Sequence, residues 1–220
     1  MDAPRADEAE QTPCTEDAML VFDASGSMSG NGWGYGSENP TAISRIDKVR
    51  SALSKILPSV TRFRRVGLIT YGPGPYNHCN VQLDFPPIER AADHIVAAVK
   101  GLLPAGRTPL AASVEKAAET LDFREKPGVI VVLTDGEETC AGLPCDLGQQ
   151  LHEEAVQLTI HVIGLRVAGY TWTGEQSIFD VKCLVKRNGG LYITVEAEDE
   201  LIEALERTLG CPMITRRAGE

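Results

Sequence analysis

Short runs of apolar residues alternate along this chain with longer segments in which apolar positions recur every third or fourth place. Residues 18–22 form a compact apolar run of strand length. Ile46, Val49, Leu53, Ile56, Leu57 and Val60 then repeat with helical spacing, and the pattern stops near 58–61, where Pro58 stands. A second strand is expected at 65–71, broken by Gly72, Pro73, Gly74 and Pro75. Val81, Leu83 and Phe85 alternate with Gln82 and Asp84, the signature of a half-exposed edge strand antiparallel to its predecessor. Helices are expected at about 88–103 and 109–122, followed by a continuous β-rich run at 129–134, as in a central strand covered on both faces. The remaining pattern reads as helix 145–157, strand 158–165, helix 176–187, strand 191–195 and helix 198–209.

Strands that alternate with helices in this way require right-handed crossovers, so the predicted fold is α/β: a Rossmann-like, doubly wound, mostly parallel sheet with helices on both faces. One domain is expected over 14–211, preceded by a tail at 1–13 and followed by one at 212–220. In such a sheet ligands bind beyond the carboxyl ends of the strands. Three segments belong there: Asp23-Ala24-Ser25-Gly26-Ser27 after the first strand, Gly106-Arg107-Thr108-Pro109-Leu110 before a helix, and Asp135-Gly136-Glu137-Glu138 after the central strand.

Asp23, Ser25, Ser27, Thr108 and Asp135 all offer oxygen, the donor type that suits magnesium, calcium or manganese rather than zinc or copper. Alternate positions in a turn leaving a strand can face one point, which aims Asp23, Ser25 and Ser27 together while Ala24 and Gly26 keep the turn compact. Each segment also has an ordinary reading: a serine or Thr108 as a helix N-cap, Asp135-Gly136 as a turn pair. Their joint arrival at one rim favours the metal.

FDASGSM at 22–28, GRTPL at 106–110 and VVLTDGEE at 131–138 resemble, in order, the three metal-site segments of the von Willebrand factor type A family. The resemblance covers nearly the whole domain. It implies strand order 3-2-1-4-5-6 with one antiparallel edge, and a metal-ion-dependent adhesion site with Asp23, Ser25, Ser27, Thr108 and Asp135 as inner- or outer-shell ligands. ETCAGLPC at 138–145 and YGPGPYNHCNVQL at 71–83 further resemble bacterial exported members related to calcium-activated chloride channel proteins.

Charge and cysteine content sharpen this picture. In 220 residues, 31 acidic against 21 basic side chains give a formal net charge of −10, which disfavours nucleic acid and anionic lipid and favours hard cations or basic partners. Half of that excess lies in the first 18 residues, a solvated segment without the apolar stretch of a signal peptide. No apolar run approaches the roughly 18–20 residues of a membrane span. Six cysteines without metal-ligand spacing point to disulfides in an oxidising compartment, periplasmic or extracellular, rather than to buried thiols or a zinc site. Cys14 and Cys211 both fall at the amino end of the sheet and are expected to pair. Cys79, Cys140, Cys145 and Cys183 lie near the metal end. Cys140 with Cys145 is close enough for a local bridge, which would leave Cys79 with Cys183, but three connectivities remain open.

The function expected is metal-mediated protein recognition. Neutral hydroxyls with only two carboxylates leave a divalent ion, Mg2+ or else Ca2+ or Mn2+, electron-poor and open to an Asp or Glu side chain of a partner. Trp33, Tyr35, Tyr76, Tyr170 and Trp172 fall in loops of the same rim as candidate interface anchors, and Arg107 could pair with the same acidic partner. The expected state is a monomer. A magnesium-dependent phosphatase is the main rival, because Asp23 follows a buried strand, yet Ser25 stands where the general acid of such enzymes would be, and no nucleophile elbow or phosphate loop accompanies it. No enzyme activity is therefore expected. A cytoplasmic subunit working with an ATP-driven chaperone is the other alternative, and reduced thiols would favour it. The four histidines add no ligand set, and His161, within a strand, reads as a core group.

Overall fold

A computed structural model describes residues 14, 16–30, 43–74, 78–165 and 175–211. The central strand is β1 (Asp17–Asp23), flanked in parallel by β2 (Val66–Tyr71) and β4 (Gly128–Thr134). Strand β5 (Leu158–Leu165) continues the parallel sheet and β6 (Tyr192–Val195) closes one edge. The other edge, β3 (Val81–Ile88), runs antiparallel to β2, giving the order 3-2-1-4-5-6.

Every residue of β4 and nearly every residue of β1 is buried, as two-sided coverage demands. Alternation along β1 sends Leu20 and Phe22 to one face, packed with Val49 and Leu53 of α1 (Arg45–Val60) and Leu201 and Leu205 of α6 (Glu198–Leu209). Helix α2 (Ala92–Lys100) covers the same face through Ile95 and Val99. Met19 and Val21 point the opposite way, against Leu110 and Val114 of α3 (Leu110–Thr120), Leu151 of α4 (Pro144–Glu154) and Leu184 of α5 (Glu175–Arg187). The six apolar positions that mark α1 in the sequence are all buried. Among the described residues, no helix is long and apolar enough to cross a membrane.

Several boundaries differ from the sequence expectation, including the ends of α2 at Lys100 rather than near 103 and of α4 at Glu154 rather than near 157. Strand β3 runs on through Pro86 and Pro87 to Ile88, because an edge strand can place residues without N–H donors where no neighbour needs them. Helix α2 consequently begins at Ala92 rather than near 88, after a turn in which Arg90 takes φ 51°.

Cys14 and Cys211 are bonded as expected, joining the start of β1 to the end of α6. The local Cys140–Cys145 pairing is not formed. Cys79 bonds Cys140, and Cys145 bonds Cys183. The reason is direction: Cys145 sits in the first turn of α4, which packs on α5 with Gly148 against Leu184, whereas Cys140 belongs to the preceding loop, beside the β2–β3 connection. His161 accepts a hydrogen bond at Nδ1 from the Leu191 amide, 3.0 Å, and burial aided by the Arg64 charge pushes its pKa down to about 4, so it is a neutral structural group.

Candidate functional site

Strand β1 ends in Asp23, which is fully buried. Its Oδ1 accepts a hydrogen bond from the Ser25 amide at 2.7 Å and its Oδ2 one from the Thr134 hydroxyl at 2.8 Å. Beyond it the chain makes a short 3-10 turn over Gly26–Ser29, which the sequence pattern did not predict. That turn sets the Ser25 and Ser27 hydroxyls 3.1 Å apart, and Ser27 donates to Asp135 Oδ1 at 2.6 Å across 108 residues of sequence. Thr108 is buried and does not cap α3, whose N-cap position is Pro109. Its backbone is clamped to the β4–α4 loop instead: Thr108 N–H donates to Thr139 Oγ1 at 2.8 Å, and Thr139 N–H to the Thr108 carbonyl at 3.0 Å. A Cβ placed on Gly136 would lie 3.5 Å from Thr108 Oγ1 and 3.8 Å from Ser27 Oγ. The structure therefore brings residues from all three sequence segments to one place.

Close approach of backbones makes this convergence possible. Gly26 N–H donates to the Gly106 carbonyl, Ala105 N–H to the Ala24 carbonyl and Arg107 N–H to the His78 carbonyl. Gly106 has φ +66°, and a Cβ there would sit 2.3 Å from the Gly72 carbonyl oxygen; one on Gly72, at φ +95°, would sit 2.4 Å from the Ser25 nitrogen. The substitution Gly106→Ala is expected to cost about 2 kcal/mol or more in chemical denaturation, since neither backbone neighbour can retreat without moving the site loops.

Three contributors are not among the ligands expected from the sequence. Arg45, at the start of α1, is buried and donates from Nη1 to Asp135 Oδ2 at 2.5 Å and to the Ser27 carbonyl at 2.8 Å. Thr134 reaches Asp23 from the neighbouring strand. Glu138 accepts from the Ala111 amide at 2.9 Å and from the Cys140 amide at 2.6 Å, fixing the loop after β4 to the start of α3. Thr134 is signalled only by its place at the end of β4, directly before Asp135; Arg45 and Glu138 act on partners the local pattern cannot reveal. Arg107 is exposed on the Thr108 loop. Trp33, Tyr35, Tyr76, Tyr170 and Trp172 lie outside the described residues.

Electrostatics mark Asp23 as the focus. Burial first, and the nearby Asp135 charge second, push its pKa up to about 6, against the hydrogen bonds from Ser25 and Thr134 that favour the carboxylate. Tyr71, paired with Asp23 in the sheet, is also fully buried; among the described residues its hydroxyl has no hydrogen-bond partner of good geometry, and burial with the Asp23 charge drives the phenol well above its usual range. Two carboxylates and three hydroxyls from these loops form the donor set that suits a hard divalent ion. Among the described residues no cluster of three His, Cys, Asp or Glu side chains forms a conventional metal cage, so hydroxyls are indispensable to any such site.

Known proteins share parts of this sequence and this fold. The family model for the von Willebrand factor type A domain matches residues 18–138. Two uncharacterized proteins of Bacillus subtilis (strain 168) are similar in sequence. YwmC is 24% identical over 155 residues, 66% of this chain and 64% of that protein, and YwmD 32% identical over 109 residues, 48% and 46%. The chain thus spans about half to two thirds of these curated relatives. Among solved structures, an aerotolerance-related membrane protein from Bacteroides fragilis superposes with a TM-score of 0.61 at 16% identity, over 88% of this chain and 98% of that one. Proximal thread matrix protein 1 from the mussel byssus, in a form with a zinc-occupied MIDAS motif, superposes at 0.58 and 17% identity, over 91% and 48%. These likenesses establish the fold, and with a family match across more than half of its length the chain belongs to the von Willebrand factor type A domain family.

Proposed function

We propose that this domain binds partner proteins through a divalent cation, Mg2+ with Ca2+ or Mn2+ as alternatives, held by Asp23, Ser25, Ser27, Thr108 and Asp135. The observation that carries this reading is the Ser27–Asp135 hydrogen bond, which joins the loops after β1 and β4 beside the Thr108 hydroxyl. A bound ion would supply a Lewis-acidic position for the carboxylate of a partner's Asp or Glu. Asp23 contributes the buried negative charge that makes a cation favourable there. Ser25, Ser27 and Thr108 contribute neutral oxygens, so the chain adds no further charge to compete with an incoming carboxylate. Arg107, exposed on the Thr108 loop, and the aromatic residues Trp33, Tyr35, Tyr76, Tyr170 and Trp172 are proposed as contacts around that carboxylate.

Three disulfides support a periplasmic or extracellular setting. Binding rather than turnover is the proposed role, since Asp135, the second carboxylate of the site, has both oxygens engaged by Ser27 and Arg45. A pull-down from native extract with the intact chain tests the reading: partners are expected in magnesium, absent in EDTA and absent with Asp23→Ala. Capture that persists in EDTA refutes it.

A further inference from the structure

Arg45 stands in an unusual position for a cation. Its side chain is only 6% exposed, and its guanidinium reaches both segments that carry carboxylates, through Asp135 Oδ2 and the Ser27 carbonyl. The arrangement is built. Gly30 leaves room for the guanidinium, since a Cβ there would lie 3.1 Å from Nη2, and the Gly30 carbonyl accepts the Arg45 amide at 3.1 Å. With Asp135 Oδ1 taken by Ser27, both oxygens of that carboxylate already have donors from the protein.

The charges then decide the consequence. Asp23 and Asp135 carry −2 when ionised, and Arg45 returns +1, so the site offers a divalent ion a net −1. Ion and site together are left at +1 in a poorly solvated place, a deficit that one further carboxylate removes. We propose that Arg45 is a resident counter-charge that weakens binding of the ion alone and makes its retention depend on an incoming carboxylate. The inference builds on the metal-site reading above and assigns a role that a passive brace would not have. Removal of a brace loosens the site and weakens metal binding; removal of a like charge strengthens it.

Mn2+ titration of the intact, oxidised chain, followed by calorimetry or by the loss of the free-ion paramagnetic signal, separates the two. Arg45→Gln is expected to bind Mn2+ on the order of tenfold more tightly than the unaltered protein. Arg45→Lys, which keeps the charge without the fork, is expected to stay within about threefold of it. Added acetate, as the carboxylate probe, is expected to tighten Mn2+ binding to the unaltered protein by a larger factor than to Arg45→Gln. Unchanged or weaker binding by Arg45→Gln, or equal acetate effects, overturns the counter-charge while leaving the metal reading intact. If Arg45→Gln does not fold, Arg45→Lys decides: a loss of affinity well beyond threefold means a brace, and overturns the proposal. Absence of Mn2+ binding by the unaltered protein and both variants overturns the proposal and the metal reading together.

Discussion

Asp23→Asn is expected to reduce divalent-metal affinity at least about a hundredfold, yet to melt no lower than the unaltered protein when both are compared in EDTA at pH 7. An asparagine retains an oxygen for the Ser25 amide and an amide for the Thr134 hydroxyl to accept from, so the local hydrogen bonds survive. What disappears is a buried negative charge. The direction with pH follows from the raised pKa of Asp23. Between about pH 4 and 6 the folded, metal-free protein holds a proton at Asp23 that the unfolded chain releases, so the increment of stability from this group is fully present below about pH 4 and is lost as pH rises through about 6. Metal competes with that same proton, and affinity should fall about tenfold per pH unit below about 6. Melting in EDTA at pH 4, 5, 6 and 7 with Asp23→Asn alongside checks both signs: if Asp23→Asn melts far below the unaltered protein at pH 7, the carboxylate is a structural linchpin instead.

The largest loss of stability is expected from opening the bond between Cys14 and Cys211. Their sequence separation of 197 residues encloses almost the whole fold, and in the chain-entropy account a crosslink of that span contributes roughly 5 kcal/mol by restricting the unfolded chain. The Cys14 amide also donates to the Phe63 carbonyl at 2.9 Å. Equilibrium urea unfolding of Cys14→Ser/Cys211→Ser measures the difference. A change below about 1 kcal/mol would mean that the unfolded chain is already compact enough for the bond to matter little. The Cys145–Cys183 bridge, enclosing a shorter stretch between two packed helices, should contribute less.

Periodicity carried the fold a long way. The buried face of α1 and the unbroken apolar run of β4 are properties of neighbouring residues, whereas the sheet order was implied only by the resemblance to the von Willebrand factor type A family. The five oxygen-bearing residues were legible because they cluster in short segments at strand and helix ends. Arg45 was not, because an arginine beside an apolar helix face reads as solvated until the residue 90 positions away that neutralises it is known. The Cys140 partner was hidden for a similar reason: four intervening residues make a bridge to Cys145 look convenient, but the start of α4 turns that sulfur toward α5. The aromatic residues proposed for the rim lie outside the described residues, apart from which only Arg107 of that set has been located.

The hydrogen bond from the Arg45 amide to the Gly30 carbonyl closes the chain on itself on either side of residues 31–42. Gly30 and Arg45, fifteen positions apart in sequence, are thereby fastened together beside the oxygen ligands. A change in α1 that shifted Arg45 would reach the Ser27 turn by two routes at once, one through its backbone amide and one through its guanidinium.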